Sequence, residues 1–237
     1  MTIRVPVALF VCLLTLALPL ARALGASATG IIPPIDAHTS LLVVSPHPDD
    51  ETLCCAGVIQ RVVAAGGRAN IVWLTSGDAS ELDMFLVERA LLLRPDKMRD
   101  LAARRMREAR AAAAVLGVPP ERQFFLGYPD EGLMTLVTDH FTIPYYSRFN
   151  GAVSVPYADT FAAGHPYSGE SLERDFARVL DLVRPTLVLA PSPLDAHPDH
   201  RAAGIVTLQV LSRRRQKVGS RCGYLPRERR LRRARPS

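Results

Sequence analysis

The stretch that decides the fold is "SLLVVSPHPDDETLCCAGVIQRVVAAGG", residues 40–67. Its first six residues form an apolar run rich in β-formers. Its last sixteen, "TLCCAGVIQRVVAAGG", read as a helix ended by glycine. Between them lies "PHPDDE", with a histidine and three acidic residues. A strand that runs through a charged turn into a helix is the opening of a βαβ unit.

The same alternation continues outward. "ANIVWLTSG" reads as a second strand, and an Arg-rich helix is expected over roughly Lys97–Leu116, closed by Gly117 and Pro119. "QFFLGYPDEG" supplies a third strand and a turn, "SLERDFARVLDLVRP" a helix, "TLVLAPSP" a fourth strand and "HRAAGIVTLQVLSRR" a final helix. Strands separated by helices imply right-handed crossovers. The expected fold is therefore α/β, with a mostly parallel sheet and helices on both faces. Two regions resist the pattern. Residues 81–96 read as a helical insertion, and residues 133–170 form a long polar-aromatic stretch with several prolines, of a length that is usually functional.

The chain has 237 residues, enough for one α/β domain with its own core, and 48% of them are apolar. "MTIR" followed by the apolar run Val5–Ala21 and small residues at Ala21–Ala23 or Ala26–Ala28 reads as a secretory signal, residues 1–23. An uncleaved membrane anchor is the alternative. Residues 24–39 read as a linker, 40–212 as the folded domain and 213–237 as a basic tail. This reading places the protein outside the cytoplasm, secreted or in the cell envelope, with membrane proximity through the N-terminus.

The formal charge of +6 is unevenly spread. Residues 213–237 hold eleven Arg or Lys against one Glu, whereas residues 24–212 hold 16 basic and 22 acidic residues. The body is mildly acidic, so the high pI gives no support for nucleic-acid binding. The tail has no apolar periodicity and is expected to be disordered and solvated. A frame-shifted or truncated end, or a basic arm that touches anionic lipid or polymer, are the alternatives. Of the four cysteines, Cys12 lies in the signal and Cys222 in the tail. Cys54 and Cys55 are neighbours on a helix, where their side chains diverge, so a mutual bridge is not expected and small core residues are.

Far downstream, "LDAHPDH", residues 194–200, repeats His-Pro-Asp. In open parallel sheets ligands bind beyond the carboxyl ends of the strands. "LLVVSPHPDDE" and "LVLAPSPLDAHPDH" both leave strands at that edge, so their charged residues are expected to share one crevice. Each motif alone has a simpler reading as an acidic helix N-terminus. A cap needs one acidic or hydroxyl residue, however, and here two clusters of histidine and carboxylates stand at matching strand ends. Imidazole nitrogens with a carboxylate suit Zn²⁺, and three protein ligands leave a place for water, whose pKa falls to about 7 on the ion. The expected ligands are His47, Asp50 and His200, with Asp49 as the base. His197 would stabilise an oxyanion or protonate a leaving amine, and Asp199 would orient one of the histidines. Fe²⁺, Co²⁺ or Mn²⁺ would fit similar ligands.

"PHPDDE" with the later "HPDH" resembles the PIG-L or LmbE-like family of zinc-dependent N-acetylglucosaminyl de-N-acetylases. "LTSGD", "RRMREARAAAAVLGVP" and "FFLGYPDEG" are comparable in position. The resemblance implies a Rossmann-like α/β fold and hydrolysis of an acetamide to amine and acetate by metal-bound water, on a small-molecule or glycoconjugate substrate. It carries His47, Asp50 and His200 over as metal ligands, Asp49 as general base, and His197 supported by Asp199. The contrasting reading is a catalytically impaired carbohydrate- or surface-binding protein of the same fold.

Other residues have two readings. Glu51 supports the site or serves the first helical turn. Asp78 and Asp130, after strands two and three, approach the crevice or close turns. Glu108 pairs with Arg104 at i−4, and the arginines of Arg99–Arg110 form a solvated face. His140, His165 and the tyrosines at 128, 145, 146, 157 and 167 line a groove or pack loops.

Overall fold

The computed structural model describes residues 32–80 and 94–221, with side chains up to 215. The signal reading, most of the proposed 81–96 insertion and the tail beyond Arg221 lie outside them. The chain divides into a unit up to Ile35 and a unit from Asp36 onward. The described part of the first, residues 32–35, has no regular secondary structure.

The described residues of the second unit hold four strands: β1 (Ser40–Ser45), β2 (Arg68–Thr75), β3 (Gln123–Tyr128) and β4 (Leu187–Leu189). They also hold five α-helices: α1 (Asp50–Ala64), α2 (Pro95–Val115), α3 (Leu133–Val137), α4 (Gly169–Val183) and α5 (Pro198–Arg221). The sheet order is β3-β2-β1-β4, and every pairing is parallel. β1 is buried at all six positions and β2 at all but Arg68, as expected of a parallel sheet covered on both faces.

Side-chain alternation assigns the two layers. Trp73 of β2 stacks on its register partner Phe125 at 4.2 Å, and Arg110 of α2 lies over Phe125. The Trp73 indole donates to Glu51 of α1 at 2.8 Å. α1 and α2 therefore cover one face. Phe124 points the other way, toward Phe161, which Arg178 of α4 covers, and Tyr128 donates to Asp175 of α4.

Each helix is amphipathic for a readable reason. α1 buries Glu51, Cys55, Ile59 and Val62 at helical spacing, and α2 buries Met98, Leu101, Ala102, Met106, Ala109 and Ala113. α1 ends where Gly66 takes φ +77°, a conformation open to glycine without a Cβ clash. The Ser168 hydroxyl caps α4 by accepting from the Ser171 amide.

Glu51 is the buried exception on α1, at 0% exposure. Besides the indole it accepts from the Asp49 amide at 3.1 Å and the Thr52 hydroxyl at 2.9 Å, and its own amide donates to the Ser45 hydroxyl at 3.2 Å. It thus ties strand, turn and helix together. Glu51→Ala leaves the Trp73 donor buried without a partner, a cost of about 1–3 kcal/mol for that group alone. A chemical-denaturation midpoint should fall accordingly, with a smaller loss in Glu51→Gln; unchanged midpoints in both would remove this role.

Several expectations change. The fourth strand shrinks to Leu187–Leu189, paired with β1, because Pro191 and Pro193 offer no amide to extend the ladder. The linker ends earlier: Asp36 and Thr39 bond each other, Asp36 caps the His38 amide, and this turn belongs to the folded unit. α5 runs past residue 212 to Arg221, so the first nine residues of the expected tail are helical. Arg213 and Arg214 gain carboxylate partners on α4, Glu173 and Asp181.

Cys54 and Cys55 are joined by a disulfide, contrary to expectation. Divergent Cβ directions on a helix do not separate neighbours enough to keep the sulfurs apart. Only Cys55 is a core residue; Cys54 is exposed. Among the described residues no helix is long and apolar enough to cross a membrane.

Residues 133–170 are not a bare loop. α3, an antiparallel bridge between Ser147 and Ala152 and another between Ser154 and Pro166 organise them. Gly127, at φ +83°, lets this segment close on β3, since a Cβ there would stand 2.7 Å from Val155.

Candidate metal centre and its surroundings

The two His-Pro-Asp turns meet at the carboxyl edge of the sheet. The first is set by the end of β1: Pro46 carbonyl accepts from both the amide and the hydroxyl of Thr75, at 3.0 and 2.9 Å. The Ser45 hydroxyl donates to the His47 carbonyl at 2.7 Å. The second opens α5, where Pro198 fills the first helical position and loses no needed amide.

Asp50 Oδ2 is the meeting point. It accepts from the His47 amide at 3.0 Å and stands 3.1 Å from His47 Nδ1 and 3.3 Å from His200 Nε2. The His47 and His200 ring centres are 5.3 Å apart. Ligands about 2.1 Å from a tetrahedral ion stand roughly 3.4 Å from one another. The spacing of these donors fits a shared ion, and two imidazoles with one carboxylate are the donor chemistry that Zn²⁺ takes.

The His47 ring is 11% exposed and has carboxylates on both sides. Its Nε2 lies 3.1 Å from Asp130 Oδ1 and 3.3 Å from Asp199 Oδ2. Burial pulls its pKa down, but Asp130, Asp199 and Asp50 outweigh burial and push it up to about 12. Burial likewise raises Asp50 and Asp130, and the facing His47 reverses that, so both carboxyls sit below their usual range. His47, Asp130 and Asp199 form a second group of potential ligands. Their oxygens are already engaged: Asp199 accepts from the amides of Glu131 and Leu133 at 2.7 and 3.0 Å, and Asp130 from that of Ala79 at 3.1 Å.

Asp199 is wholly buried and its carboxylate faces His47 at 3.3 Å, whereas the resemblance pairs it with His197. Its link to His197 is by backbone: the Asp199 amide donates to His197 Nδ1 at 3.2 Å. His197 is exposed, 4.9 Å from the His47 ring and 4.8 Å from that of His200. With Nδ1 accepting, the neutral ring carries its proton on Nε2. Asp195 stands 3.5 Å from His200 Nδ1, so the second imidazole also has a carboxylate behind it.

Asp49 lies outside the donor triangle, with its side chain 54% exposed. Partial burial raises its pKa, Arg105 at 3.1 Å pulls it back, and Asp50 adds to the rise. Beside Asp49 a groove of about 490 Å³ opens between α1 and α2, bordered by Leu53, Leu101, Arg105 and Ala112.

Arg105 corrects the solvated-face reading of the α2 arginines. Its side chain is 13% exposed and also donates to the Pro48 carbonyl at 3.2 Å. Arg99 likewise turns inward to the Asn150 carbonyl. The signal was in the sequence: Arg105 falls four residues from both Leu101 and Ala109, on the apolar stripe. Arg104 and Glu108 do pair on the surface, at 2.8 Å.

Asp78 and Asp130 both reach this edge. The Asp78 carboxylate is buried and accepts from the Asp130 amide at 2.9 Å and from Asn150 and the Tyr157 hydroxyl, each at 2.6 Å. Burial lifts its pKa to about 6 against those bonds. Tyr128, Tyr157 and Tyr167 are buried packing residues, and His140 and His165 turn to the Ile143 carbonyl and to Asp175.

Comparison with known proteins adds a family. The family model described as PIG-L, GlcNAc-PI de-N-acetylase, matches residues 42–211. The 1D-myo-inositol 2-acetamido-2-deoxy-alpha-D-glucopyranoside deacetylase of Actinosynnema mirum is 30% identical over 184 residues, 74% of this chain and 56% of that protein. The enzyme of the same name from a Mycobacterium species (strain KMS) is 31% identical over 75% of this chain and 52% of its own length. The chain thus spans about half the length of these relatives. The solved N,N'-diacetylchitobiose deacetylase of Pyrococcus horikoshii is 24% identical, with a TM-score of 0.49 over 73% of this chain and 49% of its own.

Proposed function

From the premise that this chain belongs to the PIG-L family, we propose that it is a metal-dependent amide hydrolase that removes acetyl from an N-acetylated amino sugar or a conjugate of one. The observation that carries the reading is the convergence of His47 and His200, from opposite ends of the domain, on one oxygen of Asp50 at 3.1 and 3.3 Å. The names of the relatives, which are deacetylases of an acetamido sugar, support the substrate class.

His47, Asp50 and His200 would hold the ion, for which Zn²⁺ suits the donors and Fe²⁺ is the alternative. When bound, a divalent ion supplies Lewis acidity toward the acetamide carbonyl. The remaining work falls to side chains. Asp49, half exposed and beside the groove, takes a proton from the attacking water. His197 presents Nε2–H to the oxygen that gains charge as the carbonyl carbon becomes tetrahedral. The C–N bond then breaks, the nitrogen regains a proton from the Asp49 carboxyl, and acetate and amine leave. The groove takes the rest of the sugar conjugate.

The test is acetate release by the purified full chain, loaded with Zn²⁺ or Fe²⁺, from a panel of N-acetylated amino sugars and their inositol and glycoside conjugates. Release that depends on the metal is the expected result. Full metal occupancy with binding but no release across the panel would favour the non-catalytic carbohydrate-binding reading. An extracytoplasmic location is part of the proposal and rests on the apolar run Val5–Ala21. N-terminal sequencing of the protein made in cells should find a start after Ala23 or Ala28; a retained Met1 in soluble protein would overturn it.

A further inference from the structure

Resting on the metal reading above, we infer that Asp130 is a positioning residue for the metal ligand His47. An imidazole that gives one nitrogen to an ion has one N–H left, and the partner of that N–H sets the ring's tautomer and direction. In His47 the nitrogen beside Asp50, whose same oxygen meets His200, is Nδ1, and the opposite one, Nε2, faces Asp130 Oδ1 at 3.1 Å and Asp199 Oδ2 at 3.3 Å.

Of the two carboxylates, Asp130 is the nearer, and it is braced from two directions. Its Oδ2 accepts from the Ala79 amide at 3.1 Å, and its own amide donates to Asp78 at 2.9 Å. These reciprocal bonds lock the turn after β2 to the turn after β3. Asp78 is in turn held by Asn150 and Tyr157 from the 133–170 segment. The long segment thus has an effect at the site without reaching it: it fixes Asp78, which fixes Asp130, which aims His47.

Direct coordination by Asp130 is the competing role. It would require His47 to turn Nε2 to the ion and so to abandon the pair it makes with Asp50. Asp130 is 92% shielded from solvent at the side chain and its oxygens already accept two backbone amides, Ala79 and its neighbour Glu131. This leaves it suited to hold a ring and not to complete an open coordination sphere.

The experiment is Zn²⁺ binding by the metal-free full chain in competition with a chromophoric chelator, for the unchanged protein, Asp130→Asn and His200→Ala. Thermal unfolding of each metal-free protein serves as the control for folding. Asp130→Asn keeps an acceptor oxygen but loses the charge. It should weaken Zn²⁺ binding by roughly 10–100-fold, the usual range for an outer partner of a ligating histidine. Its unfolding temperature should stay near that of the unchanged protein. Affinity within about twofold of the unchanged protein overturns the role, and so does a loss as complete as in His200→Ala, which would make Asp130 a ligand. If the variant unfolds, spectra of isotope-labelled histidine in the unchanged, Zn²⁺-loaded protein decide. His47 must carry its proton on Nε2 and bind through Nδ1, and the opposite assignment overturns the inference. Failure of the unchanged protein to bind Zn²⁺ would overturn the metal reading and this inference with it, which separates the two failures.

Discussion

Asp49→Asn should lower acetate release by roughly a hundred- to ten-thousandfold, the range lost with a general base, while metal content stays at the level of the unchanged protein. The separation follows from geometry. Asp49 is next to Asp50 in sequence but outside the donor triangle, with 54% of its side chain exposed and Arg105 as its ion-pair partner at 3.1 Å. Asparagine keeps the shape and an oxygen for Arg105, so the turn and the three donors stay in place. What it lacks is the capacity to take a proton from water. Partial burial raises the Asp49 carboxyl above its usual range, and the Arg105 guanidinium restrains the rise. The loss should appear in kcat with KM little changed, because the groove beside it is intact. Retained turnover in a fully metallated Asp49→Asn protein would remove Asp49 from this role.

His200→Ala should abolish both metal retention and acetate release. One of three donors is removed, and the loss in affinity should exceed the roughly 10–100-fold that an outer partner costs. The fold should tolerate the change. His200 is 23% exposed in the first turn of α5, where alanine is a strong helix former. Removing His200 leaves Asp50 bound to the His47 amide. Elemental analysis after dialysis, with thermal unfolding as the control, measures the effect. Stoichiometric metal in His200→Ala would mean that the ion sits elsewhere, for instance among His47, Asp130 and Asp199.

The parts legible in the sequence are those carried by local pattern. The apolar run of β1, the helical spacing of Cys55, Ile59 and Val62, and the paired His-Pro-Asp turns all announce themselves within a few residues. The order of strand and helix then leads to a parallel sheet, and the edge rule brings His47 to His200. Other features depend on groups with no local signature. Asp130 reads as a turn residue as much as a site residue, and it meets His47 only through the pairing of β1, β2 and β3 and its bonds to Asp78 and Ala79. The residue pattern has Asp199 orienting one of the histidines without saying which; its carboxylate faces His47, where its oxygens find the Glu131 and Leu133 amides. Arg105 was hidden among other arginines, although its place on the apolar stripe marked it.

By itself, the sequence determined the alternation of strands and helices and which residue types could gather at the sheet edge, because periodicity and turn chemistry act over short spans of chain. Tertiary structure alone decided which nitrogen of His47 faces which carboxylate, and which arginine meets Asp49. Those choices are made by hydrogen bonds between residues far apart in the chain, as with Asp78 and Asp130 at 52 positions or His47 and Asp199 at 152. They exist only once the sheet has brought its ends together.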